Sequence, residues 1–114
     1  MGKFDEKVEK YMSEMTGKLK VGRVDKKLLT AVAKGCGPSL YRADAEKVAT
    51  SDPDEMKRVK KNFLIKKLGL KDGPKLDSAI KDAAAKFGKG NRNKYRAIFY
   101  YFLVKGLRQG GKFK

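Results

Sequence analysis

The chain has no histidine, no tryptophan and a single cysteine, Cys36. Without histidine there is no Ser-His or Cys-His couple and no imidazole to bind a metal. One cysteine can neither close an intramolecular disulfide nor build a thiolate zinc cluster, and it suits a reducing compartment. Long apolar runs are missing too. The longest, Ala97 to Val104, has eight residues, against the roughly 20 needed to cross a bilayer. Met1 to Lys10 is charged throughout and lacks the apolar stretch of a secretion signal. These absences predict a cytoplasmic protein that neither enters a membrane nor needs a cofactor or metal. With no acid–base or nucleophile constellation, it is not expected to be an enzyme.

Negative charge is scarce in one half only. Up to Glu55 there are 11 basic and 10 acidic residues; from Met56 onward there are 18 basic residues against Asp72, Asp77 and Asp82. The formal net charge of +16 therefore sits almost wholly in the second half. It is about twice the magnitude of roughly 8 that marks the upper end of what solubility needs. Such asymmetry points to a polyanionic partner, nucleic acid among them. Lysine outnumbers arginine 23 to 6. Lysine is a mobile point charge without arginine's bidentate fork, so the expected contact is to phosphate backbone with weak sequence preference.

A chain of 114 residues is long enough for one core without metal or disulfide. Apolar spacing is helical nearly throughout. Phe4, Val8, Tyr11, Met12 and Met15 mark a first helix stopped at Gly17, and Lys18 to Val24 forms a connector. Asp25 caps a second helix, through Leu28, Leu29, Val32 and Ala33 to Gly35. Pro38 opens a short helix over Ser39 to Tyr41, and Asp44 caps a further turn over Ala45 to Ala49. Ser51-Asp52-Pro53-Asp54 starts a helix running through Met56, Val59, Phe63 and Leu64 to Leu68, with Gly69 beyond it. Asp72-Gly73-Pro74 opens the next, striped by Leu76, Ile80, Ala83, Ala84 and Phe87 and closed by Gly88. The last helix, from about Arg92 to Lys105, is apolar nearly all round and should be the most buried. The expectation is an all-α, single compact domain over residues 1–105 with about five helices, some short. Residues 106–114 form a mobile Gly/Lys tail.

The blocks Gly35-Cys36-Gly37-Pro38, Tyr41-Arg42-Ala43-Asp44, Ser51-Asp52-Pro53, Asn62 to Leu70 (NFLIKKLGL) and Asn91 to Arg96 (NRNKYR) occur in this order. Their order and spacing resemble a family of small bacterial proteins known only as a domain of unknown function. The resemblance covers about Lys3 to Lys105. It implies an all-helical bacterial domain and no activity, cofactor or catalytic residue.

Two clusters are candidate polyanion sites. Lys89, Arg92, Lys94 and Arg96 surround a Gly-containing turn into a helix start, where free N–H groups and the dipole favour an anion. The bland alternative is a solvated first turn after an ordinary cap. Lys57, Lys60, Lys61 and Lys67 share a face at helical spacing, and they either track a phosphate backbone or are merely solvated. Cys36 is read as a packed residue, the alternative being a reactive thiol near a helix start. Asp52, Asp54 and Glu55 are read as capping groups and not as a hard-metal site. Tyr95, Phe99, Tyr100, Tyr101 and Phe102 are read as core; if Tyr100 or Tyr101 reached the surface it could stack on bases. Gly106 to Lys112 has the spacing of a phosphate-binding loop, but Phe113 stands in place of its Ser/Thr, so the match is chance. The alternative to polyanion binding is a protein-interaction or self-associating helical module, a homo-oligomer included, whose charge serves solubility.

Overall fold

The computed structural model describes residues 3–19, 24–42, 46–50, 52–87 and 94–108. Five α-helices carry the fold: α1 (Lys3–Ser13), α2 (Lys26–Cys36), α3 (Pro53–Val59), α4 (Pro74–Ala85) and α5 (Arg96–Gly106). Their starts follow the local chemistry. The Asp25 carboxylate accepts from the Leu28 N–H at 3.1 Å, and Asp52 accepts from the Asp54 N–H at 2.9 Å. Pro53 and Pro74 stand in first turns whose N–H groups lack helical partners in any case. A 3₁₀ turn, Gly37–Tyr41, follows α2 after a left-handed Gly37 at φ 62°, where a side chain would be strained.

α5 is the hub. Ala97, Ile98, Phe99, Tyr101, Phe102, Leu103 and Val104 are all buried, and α2 and α4 pack against it while α1 packs on α2. The hydroxyl of buried Tyr101 accepts from the Asp25 N–H at 2.9 Å, so its polar tip is satisfied at the α2 cap.

α3 does not stay α-helical. From Lys60 to Lys67 it continues as a π-helix, and the Leu68 N–H reaches back five residues to the Phe63 carbonyl at 3.0 Å. The apolar pattern explains the change. Val59, Phe63, Leu64 and Leu68 are all buried, at steps of four, five and nine. An α-helix repeats its face after seven residues, which would bring Lys66, not Leu68, back over Val59. The wider i→i+5 turn keeps all four apolar side chains inward and turns Lys66 outward. α1 is extended in the same way over Glu14–Lys18. Gly69, at φ 70°, then turns the chain away, and the Leu70 N–H donates to the Leu64 carbonyl at 3.1 Å.

Three boundaries differ from expectation. The turn expected over Ala45 to Ala49 is extended where described. Lys47 forms an antiparallel bridge with Tyr95, flanked by Val48 N–H to Lys94 O at 2.8 Å and Arg96 N–H to Glu46 O at 2.6 Å. Backbone pairing with the segment before α5 thus replaces a helical turn, and Asp44 lies outside the described residues. α5 begins at Arg96 and not near Arg92, with extended Tyr95 as its N-cap. It also runs through Gly106, and Leu107 is buried, so order extends past Lys105; residues 109–114 lie outside the description. Among the described residues there is no strand beyond that bridge, and no helix is long and apolar enough to cross a membrane.

Phe99 is fully buried at the centre of α5, so Phe99→Ala should cost about 3–5 kcal/mol. Chemical denaturation monitored by far-UV circular dichroism checks this. A loss below about 1 kcal/mol would contradict the central place given to α5.

Candidate polyanion-binding site

The π-helical turn decides which cations share a face. Lys57, Lys61 and Lys66 succeed one another at steps of four and five, matching the α turn and then the π turn, and all three are exposed. Arg58 and Lys67 flank them and are exposed as well. Among the described residues Lys57, Lys61 and Lys66 enter no ion pair. Lys66 and Lys67 lie at the negative end of the helix dipole, which favours them. Lys57 and Lys61, one turn apart, repel each other by about 0.2–0.5 kcal/mol. An anion laid along the stripe would relieve that repulsion.

Two expected members are occupied elsewhere. The Lys60 ammonium lies 2.6 Å from Asp72 and 3.0 Å from Asp77, and those hydrogen bonds, Asp72's foremost, raise its pKa above the ordinary lysine value. Lys60 ties the π segment to the start of α4, so it does not share the outer face with Lys57, Lys61 and Lys67. The two carboxylates hold it there, and Lys66 is the exposed lysine one π turn beyond Lys61. Arg96 donates to Glu55 Oε1 and to the Tyr100 hydroxyl, each at 3.0 Å. Its side chain is 17% exposed, and Glu55 also holds Arg58 at 3.0 Å. Arg96 is thus a strut between α3 and α5, not a surface cation. Lys94 is half-buried beside the bridge that leads into α5. Lys89 and Arg92 lie outside the described residues.

The aromatic and thiol expectations are also placed. Tyr95, Phe99, Tyr101 and Phe102 are buried, and half-buried Tyr100 stacks on Phe63 with centroids 4.0 Å apart. None of them offers a free face. Asp52 caps α3, and Glu55 serves the two arginines. Cys36 is half-buried at the end of α2; burial pushes its thiol up to about 11, against the opposing charges of Arg96 and Lys67. Its side chain packs against the core, as expected of a packing residue. A shallow groove of about 260 Å³ runs between α4 and α5, lined by Ala79, Ala83, Phe102 and Leu107 with Lys75, Asp82 and Lys86. It falls short of the roughly 300 Å³ at which small-molecule pockets begin.

Sequence reasoning missed Glu46. Its carboxylate, 10% exposed, accepts from Lys7 at 2.8 Å, Lys10 at 3.4 Å and the Tyr11 hydroxyl at 2.7 Å. Lys10 also stands 4.7 Å above the Tyr95 ring. Burial raises the Glu46 pKa, but the hydrogen bonds from Lys7 and Tyr11 and the lysine charges outweigh it, leaving the group below the ordinary glutamate value. Burial, and then Glu46, keeps Tyr11 protonated far above its ordinary range. The sequence offers only an acidic residue between Ala45 and Lys47, which does not reveal partners 35 and more residues away.

A protein-family model described as "Protein of unknown function (DUF2853)" matches residues 10–110. No curated protein matches the chain.

Two outcomes follow from these groups. A depressed carboxylate stabilises the fold above its unfolded pKa of about 4.3 and loses that contribution as pH falls through the folded value. Glu46→Gln should therefore cost about 1–3 kcal/mol at pH 7, with the deficit narrowing below about pH 4.3; denaturant midpoints across pH test it. For Cys36, iodoacetamide should react far more slowly than with a free thiol at neutral pH, the rate rising toward pH 11. Rapid labelling of the native protein at pH 7 would contradict a thiol packed at the end of α2.

Proposed function

The chain belongs to the DUF2853 family of proteins of unknown function, and we propose that it binds polyanions, the phosphate backbone of nucleic acid in particular, through the outer face of α3 and its π-helical continuation. The observation that carries this is the row of exposed lysines, Lys57, Lys61, Lys66 and Lys67, on a half of the chain holding 18 basic and three acidic residues. Of those three acids, Asp72 and Asp77 are spent on Lys60, so little negative charge offsets the stripe. Lysines at helical intervals can follow a phosphate chain without reading base edges.

Affinity should fall with salt. Each neutralised phosphate contributes about 0.7–0.9 to the log–log slope, so four lysines give a slope near −3. Replacing Lys57, Lys61, Lys66 and Lys67 by Gln should flatten that slope, whereas the same change at exposed Lys3, Lys26, Lys27 and Lys34 should leave it nearly intact. Fluorescence anisotropy with a labelled oligonucleotide at several ionic strengths measures both. Undetectable binding at low salt and micromolar protein would reject the proposal. Self-association that survives high salt would favour a helical interaction module instead, since apolar contacts are not screened.

A further inference from the structure

Three lysines from two distant segments converge on one carboxylate and one ring. Lys7 and Lys10 of α1 reach the same oxygen of Glu46, at 2.8 and 3.4 Å, so their ammonium groups are no more than about 6 Å apart, where like charges repel. Lys10 also stands 4.7 Å from the centre of the Tyr95 ring. Lys47, the residue after Glu46, stands 5.6 Å from the same point. Lys10 and Lys47 are therefore within about 10 Å of each other, inside the screening length of dilute salt.

The anchors of this group are fixed. Glu46 and Tyr95 are buried, and the bridge between Lys47 and Tyr95, with its flanking bonds from Val48 to Lys94 and from Arg96 to Glu46, holds them in register. One carboxylate needs one counter-charge, yet three ammonium groups surround Glu46, an excess of two positive charges. Among the described residues Lys7 and Lys10 have no other acid, and Lys47 enters no ion pair. The excess faces water, for the Lys10 side chain is 44% exposed and Lys47 is exposed as well. Each ammonium carries three N–H donors, and Glu46 occupies only one on Lys7 and one on Lys10.

We propose that Lys7, Lys10 and Lys47 form a second anion site, whose ligand is the terminal phosphate of a small molecule. The site is independent of the lysine row on α3 and its continuation. A phosphate monoester carries a charge of about −1.5 to −2 at neutral pH, which matches the excess, whereas each phosphate of a nucleic-acid backbone carries only one. A row of lysines suits a chain of single charges, and a convergent group suits one double charge. Lys10 and Lys47 supply the donors to the phosphate oxygens, and the less exposed Lys7 adds its charge beside them.

Isothermal titration calorimetry at fixed ionic strength, with glycerol 3-phosphate as a monoester and dimethyl phosphate as a diester, tests the proposal. The monoester should bind with a stoichiometry of one and the diester at least about tenfold more weakly. Replacing Lys10 and Lys47 together by Gln should weaken the monoester at least about tenfold, the loss of charge-assisted hydrogen bonds. Lys47→Gln alone should also weaken it, and because that exposed residue holds no ion pair, its circular dichroism spectrum should match the parent's. The Gln variant of Lys57, Lys61, Lys66 and Lys67 should bind the monoester as the parent does. If that variant loses the monoester while the Lys10 and Lys47 variant keeps it, the phosphate sits on the α3 row and the second site is wrong, with polyanion binding intact. Saturable monoester binding without any oligonucleotide binding would leave the second site standing and reject the polyanion reading. No saturable binding up to about 10 mM monoester would overturn the second site.

Discussion

The structure depends on enclosing α5. Seven of its eleven residues are buried, and a helix apolar on nearly every side has no stable place except inside the fold. Covering it takes an apolar face from each neighbour. α2 brings Leu28, Leu29, Val32 and Ala33, and α4 brings Leu76, Ile80 and Ala83. Every lysine-rich surface of those helices is thereby turned to solvent. The outward arrangement of positive charge is thus a consequence of the core and not of charges attracting one another.

The same demand accounts for the π-helical segment. Eight residues from Lys60 to Lys67 hold the wider turn, a long run for a form that mostly occurs as single-turn bulges. It persists because it keeps Val59, Phe63, Leu64 and Leu68 together on the core, where each buried apolar side chain is worth roughly 1.5–3 kcal/mol. On the surface it leaves Lys57, Lys61 and Lys66 exposed at steps of four and five, while half-buried Lys60 is held by Asp72 and Asp77.

Charges drawn toward the interior behave differently from those outside. Glu46 collects Lys7, Lys10 and Tyr11, while Arg96 collects Glu55 and Tyr100. Both sets join elements distant in sequence, as buried polar groups must find partners or carry a large desolvation cost. Arg96 had the appearance of a phosphate ligand because its neighbours in the sequence are basic. In the fold it is paired with an acid from α3.

Helix number, the caps at Asp25 and Asp52, the prolines at helix starts, the family resemblance and the burial of α5 were legible in the amino-acid order. Those features depend on interactions within a few residues or on periodicity along one element. The charge asymmetry was legible for the same reason, being a property of composition. The π turn was half legible: the steps of Val59, Phe63, Leu64 and Leu68 suit it, but a short apolar set also fits a poorly aligned α-helix until a core exists to choose between them. The pairing of residues 46–48 with 94–96, the lysine clamp at Asp72 and Asp77 and the carboxylate cluster at Glu46 belong to the tertiary structure alone. Each joins or separates groups that the chain order does not relate, and only packing decides which side chains meet and which are left to water.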